Sequence, residues 1–365
     1  ALGVLAAGLM GGLTSPARPW FRLATADADL NKQPAVKQWL ADVTNLMLTV
    51  FQKSNTYRAL HNVYRELGAF GTGVSIIVPD FDNIIHHHPI TAGQYCVSTN
   101  YQGRVDTLYR EFDMTVAQIV KEFGYDNVSM SVKAMYDRGT LDSWITVLHA
   151  IEPRADRDHT KVDTKNMAWR EIYMEQGGPE DKYLREAGYS RFPCVAPRWD
   201  VQGGDIYGNS PAMEALGDIK QLQHEQLRKA QAIDLMVNPP LQVPTSFKNR
   251  DVERMPGGIT YVDTASTGKA IQTAYDVNLN LSFLLQDIQD VRGRINNAFY
   301  VDLFMMISQD NAATTRMTAT EVAERHEEKM LMLGPVLERL QDELLDPLID
   351  ITFNRLIETN TLPPA

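Results

Sequence analysis

The segment that decides the fold of this chain runs from Asn209 to Pro240 and reads NSPAMEALGDIKQLQHEQLRKAQAIDLMVNPP. Ser210 followed by Pro211 is a typical helix start, because a serine side chain accepts a hydrogen bond from the first turn and proline needs no backbone donor there. The Pro239–Pro240 pair ends the helix, since proline cannot continue it. The segment therefore predicts one long helix over 210–237.

A second long helix is predicted over 278–307. Its apolar residues follow one another at intervals of 3, 4, 3, 4 and 3 positions: Leu281, Leu284, Ile288, Val291, Ile295 and Ala298. This spacing is a heptad seam, a narrow apolar stripe that packs against partner helices. In the first helix, by contrast, Leu227 is the one strongly apolar residue between Leu222 and Ala230, so part of that helix lacks a wide apolar stripe.

The segment between the two helices, 238–277, is rich in Pro and Gly and contains strand-like runs at 241–243 and 259–262. Two long helices on either side of it predict a helical hairpin with a small subdomain at its tip. Such a hairpin buries little apolar surface by itself. Its seam needs neighbours, and identical copies of the chain are an economical source of them.

The first 209 residues predict a domain of mixed helices and strands. Helical spacing of apolar residues runs from Val36 to Leu67 and ends at a glycine-rich break. Ala1–Leu13 predicts a short buried helix rather than a signal peptide, because no basic region precedes it. Strands are predicted at 74–78, 95–105 (a hairpin), 145–151, 170–174 and 191–196, and short helices at 112–123 and 132–138. The fold class is α+β, helix-dominated.

The last part of the chain combines a polar loop with an acidic helix. Residues 308–316 read SQDNAATTR and predict the loop. Thr318 and Glu321 then match a capping box that opens a helix predicted over 317–358, with Gly334-Pro335 inside it as a kink. This helix holds ten acidic and four basic residues, a net charge of −6 within the chain's −11. Residues 359–365 form a short tail.

The composition excludes several classes of protein. The 365 residues include 35 basic and 46 acidic side chains, which does not fit a chain that grips nucleic acid through bulk positive charge. Two cysteines are too few for a disulfide framework and favour a reducing compartment. No run reaches the roughly 18 apolar residues that a membrane helix needs, so no membrane partner is predicted.

No motif for catalysis, a cofactor or a metal is found in the sequence. The nearest match to a phosphate-binding loop, 266–269, has Ala270 where Ser or Thr is needed and Asp263 where the first glycine belongs. His86–His88 do not predict a metal site, because neighbouring side chains of an extended segment point to opposite faces. Acidic pairs such as Asp342–Glu343 are typical of a solvated helix face, although the acidic helix could instead line a passage.

Nine short motifs remain, and they follow one another along almost the whole chain: Ser15–Phe21, Pro197–Trp199, Tyr207–Ala212, Asn238–Leu241, Pro256–Gly258, Ala298–Phe304, Met317–Val322, Leu333–Leu337 and Leu344–Leu348. In this order they resemble the head-to-tail connector (portal) proteins of short-tailed, T7-like bacteriophages. Each motif alone is weak evidence for this resemblance, and together they are specific.

The resemblance implies a portal-type fold in a homo-oligomeric ring, usually of twelve subunits, at one vertex of the capsid. It divides the chain into a wing (1–209), two stem helices (210–237 and 278–307), a clip (238–277), a tunnel loop (308–316) and a kinked helix leading towards a crown (317–358). Because the chain ends near Ala365, the crown and the C-terminal barrel are expected to be short or missing.

By the same resemblance, the ring is the channel for packaging and ejection of double-stranded DNA and the docking site for the packaging motor and the tail. Expected partners are the terminase packaging ATPase, the major capsid and scaffolding proteins, and tail adaptor proteins. The expected location is the portal vertex of the virion, with the host cytoplasm during assembly. Alternatives are a ring-shaped tail adaptor, a hydrolase or nucleotide-driven motor, and a membrane-inserting ejection protein.

Acidic channel walls fit a conduit, because about six to ten phosphate contacts would hold DNA tightly and stall it. The tunnel-loop candidates are Ser308, Gln309, Asp310, Asn311, Thr314, Thr315 and Arg316. The acidic channel-lining candidates are Glu321, Glu324, Glu327 and Glu328. The clip residues expected to dock protein partners are Lys248, Arg250, Arg254 and Lys269.

Overall fold

The computed structural model describes residues 1–158, 160–161, 163–178, 182–237, 241–242, 272–273, 282–309 and 333–364. The chain divides into two compact units. The first unit comprises Ala1–Glu214 and Ala298–Ala365, and the second comprises Ala215–Asn297. The first unit is an α+β structure, as the sequence predicts.

Three helices open the first unit: α1 (Leu2–Leu13), α2 (Pro34–Lys53) and α3 (Thr56–Phe70). Helix α1 packs against α3 through the buried side chains of Leu5 and Leu9, so the predicted short buried helix at the start of the chain is confirmed. Helices α2 and α3 match the predicted helical region, and a short turn at Ser54–Asn55 separates them.

Two antiparallel sheets follow. The smaller sheet has the strand order β2-β1-β8. Its strands are β1 (Val74–Asp80), β2 (Ile84–Ile90) and β8 (Cys194–Val195). The larger sheet is a five-stranded meander in the order β3-β4-β5-β6-β7. Its strands are β3 (Tyr95–Thr99), β4 (Val105–Thr115), β5 (Trp144–Pro153), β6 (Trp169–Glu175) and β7 (Arg185–Tyr189).

The first unit has well-formed apolar cores. One cluster joins the two sheets and contains Val74, Ile76, Ile90, Tyr95, Val97, Leu108, Ile151, Cys194 and Ala196. A second cluster lies under α4 (Val116–Phe123) and α5 (Met130–Asp137). Helix α4 begins at a capping box in which the side chains of Thr115 and Gln118 bond each other's backbone nitrogens. Large aliphatic side chains at alternate strand positions account for these cores.

The rest of the first unit is helical. After a short helix α6 (Pro211–Glu214), the chain leaves for the second unit and returns at Ala298 to form α9 (Val301–Gln309). The described chain resumes in α10 (Gly334–Leu340), continues through a π-helical segment at Gln341–Leu345, and ends in α11 (Asp346–Glu358).

The second unit contains two long helices, α7 (Leu216–Val237) and α8 (Ser282–Ala298, whose last residue belongs to the first unit). Backbone pairing joins β9 (Leu241–Gln242) to β10 (Gln272–Thr273). The seam predicted for α8 is the side that becomes buried: Ile288 and Val291 are almost fully buried.

Several sequence predictions are corrected by the structure. The helix predicted over 210–237 is interrupted at Ala215, and the one predicted over 278–307 is interrupted at Phe299–Tyr300, where Tyr300 has a φ of +54°. The helix predicted over 112–123 begins at Val116, because residues up to Thr115 pair with β5. Strands β2 and β7 are not predicted by the sequence, since the polar residues of each leave no clear apolar alternation.

Two corrections concern the last part of the chain. Ser308 and Gln309 lie within α9, so the polar loop cannot begin before residue 310. The helix predicted over 317–358 is not continuous at Gly334-Pro335: Leu333 is non-helical (φ −94°, ψ 5°) and Pro335 occupies the first turn of α10. Proline is well suited to this place, because the first turn makes no use of its missing N–H.

Candidate functional site

The best-defined polar contact in the first unit centres on Arg198, whose side chain is 5% exposed. Its guanidinium donates to the Glu343 carboxylate, with Nε 3.2 Å from both carboxylate oxygens, and its backbone N–H donates to Glu343 Oε2 at 2.9 Å. Nη1 donates to the carbonyl of Ile206 at 3.2 Å and Nη2 to that of Gly103 at 2.8 Å. The attraction between the two charges and the additional hydrogen bonds offset the cost of taking both groups out of water.

Close to this ion pair, two glycine backbones meet. Gly71 ends α3 in the left-handed region with φ +76°, and a Cβ there would lie 2.1 Å from the carbonyl oxygen of Gly208. A Cβ on Gly208 would lie 2.2 Å from the carbonyl oxygen of Gly71. The backbone N–H of Trp199 donates to the Gly71 carbonyl at 2.8 Å, and that of Gly208 donates to Thr72 Oγ1 at 2.9 Å. Only glycine therefore fits at both positions.

Ser210 ties this region to the helix that follows. Its Oγ accepts a hydrogen bond from the Met213 backbone N–H at 3.0 Å and donates to the Ala69 carbonyl at 2.9 Å. The predicted helix start at Ser210-Pro211 is confirmed. The side chain also anchors that start on the end of α3, which sequence spacing does not indicate.

Tyr300, which follows the return of the chain to the first unit at Ala298, also packs in this region. Its ring centroid lies 6.2 Å from that of Trp199. Burial raises the pKa of Tyr300, and the nearby carboxylates of Glu214 and Asp200 raise it further. We call this region the junction, defined by Gly71, Arg198, Gly208, Ser210, Tyr300 and Glu343. It lies in the first unit, beside the points at which the chain leaves for the second unit and returns from it.

Four of the resembling motifs lie at or beside the junction. Pro197–Trp199, Tyr207–Ala212 and Ala298–Phe304 all contribute to it, and Glu343 immediately precedes Leu344–Leu348. Sequence spacing does not predict the pairing of Arg198 with Glu343. The expectation that Glu343 lies on a solvated helix face is wrong, because its side chain is 18% exposed and pairs with Arg198.

A second polar network lies within the larger sheet. Arg110 Nε donates to His149 Nδ1 at 2.9 Å, so the ring proton is on Nε2, which faces Glu171 Oε1 at 3.2 Å. The hydroxyls of Tyr173 and Tyr189 also donate to Glu171 Oε1, at 3.2 and 2.9 Å. The His149 ring stacks on Tyr173 with 4.0 Å between centroids. Every member of the network thus has a partner.

The electrostatics of this network keep His149 neutral. Burial lowers the pKa of His149 to about 4, against the opposing effect of its hydrogen bond to Glu171. Burial alone would raise the pKa of Glu171, but the hydrogen bonds from His149 and Tyr189 and the charge of Arg185 bring that pKa below its usual value. No local sequence pattern signals this arrangement, since its members come from four strands.

The second unit combines a polar clasp with an exposed apolar surface. Arg294 bridges the two helices, with Nη2 3.2 Å from Asp218 and Nη1 3.3 Å from Asp290. Large apolar side chains of α7 and α8 remain exposed to solvent: Leu216, Leu227, Ile233, Leu235, Met236, Val237, Phe283 and Leu285. Large apolar side chains left exposed in this number are more often found at interaction surfaces than single exposed residues are.

Most of the channel and docking candidates lie outside the described residues. Of the tunnel-loop candidates, Ser308 and Gln309 lie in α9, whereas Asp310, Asn311, Thr314, Thr315 and Arg316 are outside the described ranges. The acidic candidates Glu321, Glu324, Glu327 and Glu328 and the clip candidates Lys248, Arg250, Arg254 and Lys269 also lie outside them. The phosphate-loop match at 266–269 lies there too.

The three adjacent histidines lie on β2 with alternating directions. His87 is buried, and its burial lowers its pKa to about 3, with the charges of His86 and His88 acting the same way. The rings of His86 and His88 share the other face, 4.8 Å apart. Within the described ranges, no three His, Cys, Asp or Glu side chains form a group that could hold a metal ion. No helix in the described part is long and apolar enough to cross a membrane.

Comparison with known proteins identifies the class. The family model described as bacteriophage head to tail connecting protein matches residues 1–365. The chain belongs to this family.

Two relatives make the likeness more specific. A protein of Bordetella phage BPP-1 named "Probable portal protein" is 62% identical over 364 residues, and the "Portal protein" of Salmonella phage epsilon15 is 50% identical over 361 residues. These alignments cover 100% and 99% of this chain and 65% of each relative, so the chain spans about two thirds of their length. A chain from the virion of a native gene transfer agent particle aligns over 99% of this chain and 93% of its own, with a TM-score of 0.41 and 10% identity.

Proposed function

We propose that this chain forms the body of a portal ring: identical copies, twelve by the resemblance, close around an axis at one capsid vertex. The ring is the passage through which double-stranded DNA is packaged and ejected. It acts as a structural conduit rather than as an enzyme. Membership of the head-to-tail connecting family and the portal names of both relatives support this function over a tail adaptor.

One observation of the structure carries the proposal: the large apolar side chains that α7 and α8 leave exposed. Leu227 is 55% exposed and Val237 is 79% exposed, although both lie on a regular helix. Burying the exposed half of a leucine contributes about 1 kcal/mol. In a ring, that contribution is repeated at every subunit contact, because each copy offers the same surface to the next.

In this proposal the parts of the chain take the roles that the resemblance implies. Residues 1–209 are the wing, 210–237 and 278–307 the stem helices, and 238–277 the clip. The tunnel loop, now beginning no earlier than residue 310, precedes the acidic segment that leads towards the crown. The junction holds both stem connections in the wing.

The acidic residues would serve the passage of DNA. Glu321, Glu324, Glu327 and Glu328 are proposed to face the lumen and repel the phosphates, with Arg316 making transient contacts. Screening over about 8 Å at physiological salt confines this effect to the wall. Reversing the charge of several of these glutamates should slow packaging. Unchanged packaging and ejection would remove these residues from the lining.

The proposed partners follow from the same role. The clip, whose basic residues Lys248, Arg250, Arg254 and Lys269 are roughly balanced by acidic ones, would dock the terminase ATPase first and tail adaptors later. The wing would meet the major capsid protein and the scaffolding protein. The complex would assemble in the host cytoplasm and remain at the portal vertex of the virion.

Electron microscopy of the purified chain tests the proposal, with two variants of α7. Leu227→Asp replaces one of the exposed apolar side chains by a charge, whereas Gln223→Asp places the same charge at an exposed polar position of the same helix. We expect rings with a central hole for the wild type and Gln223→Asp, and a loss of rings for Leu227→Asp. Monomers for the wild type, or rings for Leu227→Asp, would contradict the proposal.

A further inference from the structure

A cleft of about 780 Å³ opens in the first unit beside the polar network. Alternate residues of β1 and β4 form its apolar floor: Ile76, Val78, Phe112 and Met114. Side chains spaced two apart share one face of a strand, which is why these residues line one surface. The volume falls within the range of about 300–1,000 Å³ that is typical of binding sites.

Three arginines of the described chain line the cleft, and their surroundings differ. Arg185 lies 3.2 Å from Glu122 and 3.9 Å from Glu171, and Arg355 pairs with Glu358. For Arg110, in contrast, the described residues provide no carboxylate within 4.0 Å: its Nε donates to His149, and its guanidinium lies 4.4 Å from the centroid of the Phe112 ring. Glu171 is connected to Arg110 through intervening side chains, such as the His149 ring. Among these three arginines, Arg110 is therefore the cation to which no anion of the described residues bonds directly.

The layout of the cleft is that of a protein interface. Its floor is apolar and aromatic, and its rim has exposed ion pairs, such as Arg185–Glu122 with side chains 40% and 56% exposed. An apolar centre with a polar rim is the usual anatomy of an interface, and arginine and aromatic residues are enriched at its strongest contacts. The volume is also larger than a single side chain requires.

We propose that this cleft receives a short segment of another protein of the assembled particle, in which a carboxylate lies next to an apolar side chain. Arg110 binds the carboxylate, and Ile76, Val78 and Phe112 cover the apolar side chain. The planar guanidinium matches a carboxylate through two parallel hydrogen bonds, which an uncharged amide cannot replace. The proposal presumes the assembly described under the proposed function and names one chemical class of partner for the wing.

Binding of defined probes to the purified protein tests this, measured by calorimetry. The peptide N-acetyl-Phe-Asp-Leu-amide carries the carboxylate, and N-acetyl-Phe-Asn-Leu-amide is its neutral match. We expect the acidic peptide to bind at least about tenfold more tightly than the neutral one. We also expect it to bind more tightly than 3-phenylpropionate, which carries a phenyl ring and a carboxylate but neither a peptide backbone nor the leucine side chain. Equal binding of the two peptides would contradict the proposed role of the carboxylate. Tighter binding of 3-phenylpropionate would contradict the proposal that the cleft receives a segment of a protein.

Variants locate the site. Arg110→Gln should abolish the preference for the acidic peptide, while Arg138→Gln, at an exposed position outside the cleft, should keep it. Because Arg110→Gln also alters the His149 network, Val78→Phe provides a second test: it narrows the cleft, leaves Arg110 in place, and should weaken binding of both peptides at least about tenfold. Full binding by Val78→Phe would contradict the inference, provided that its circular dichroism matches the wild type.

Electron microscopy separates the two proposals. Wild-type rings that bind neither peptide would end the cleft inference and leave the proposed function intact. Absence of rings in the wild type would end the proposed function.

Discussion

The two units of this chain bury their apolar residues to very different extents. In the first unit, core clusters lie between and beneath the sheets, and further side chains such as Tyr64, Phe51 and Ile77 are also almost completely buried. The second unit buries Ile288 and Val291 and leaves much of α7 exposed. Among the described residues, the first unit buries its apolar side chains within one chain, whereas the exposed apolar side chains of the second unit fit the contacts between copies that we propose.

The largest loss of stability in the first unit is expected when a residue of the junction is substituted. Glu343→Ala would leave Arg198 buried without its carboxylate, which costs about 3–5 kcal/mol of the free energy of unfolding. Asp350→Ala is the matched control, because Asp350 pairs with Arg191 on the surface, with side chains 66% and 57% exposed, and should cost less than about 1 kcal/mol. Urea unfolding measures both. Equal losses would show that the junction does not stabilise the first unit.

Acid should weaken the first unit through His149. The pKa of this residue is about 4 in the folded protein against an ordinary 6.5, so the unfolded chain binds the proton more readily. The stabilisation is therefore complete above pH 6.5 and is lost as the pH falls towards 4, up to about 3 kcal/mol at 1.36 kcal/mol per unit. Glu171 and His87, whose pKa values are also lowered, act in the same direction.

The variant His149→Gln isolates this contribution. A glutamine side chain can accept from Arg110 and donate to Glu171 but does not titrate. Unfolding free energies measured at about pH 7, 5.5 and 4.5 should fall less steeply for the variant than for the wild type. Identical slopes would assign the acid sensitivity to other groups.

A smaller loss is expected where the two glycine backbones meet. Gly71→Ala and Gly139→Ala both place alanine at a left-handed φ, +76° and +79°, which costs about 1–2 kcal/mol. At Gly139 the new Cβ meets no atom within 4 Å, whereas at Gly71 it would strike the Gly208 carbonyl. The Gly71 variant should therefore lose more stability than the Gly139 variant in thermal unfolding. Similar melting temperatures would mean that the Gly71–Gly208 contact relaxes without cost.

The smallest effect on stability is expected in the second unit. Leu227→Ala removes an exposed apolar side chain, so the free energy of unfolding of the dissociated chain should change by less than about 0.5 kcal/mol. The same variant should raise the protein concentration at which copies associate, as sedimentation velocity would measure. A large loss of stability in the dissociated chain would show that Leu227 is already buried there.

Sequence patterns are informative where the fold depends on neighbouring residues. The cap at Ser210, the seam at Ile288 and Val291, and the strand at Val74–Val78 all follow from short-range spacing, and each is present. The order of the short motifs along the whole chain also indicates the family to which the chain belongs.

Other features could not be predicted because their partners are distant in sequence. Arg198 and Glu343 are 145 positions apart, and Glu343 reads as one acid among many on a charged helix. Tyr300 has a positive φ and interrupts the helix predicted over 278–307, and the residues next to it give no sign of this interruption. Strand β2 contains three histidines, and only pairing with β1 makes it a strand. Tertiary contacts decide such positions.

Hydrogen exchange tests the central claim most directly, because it reports each unit separately. Amide protection would be measured above and below the concentration at which copies associate. The account predicts that residues 216–237 and 282–297 gain protection on association, while strands β4, β5 and β6 are equally protected in both states. Full protection of α7 in the dissociated chain, or no gain on association, would contradict it.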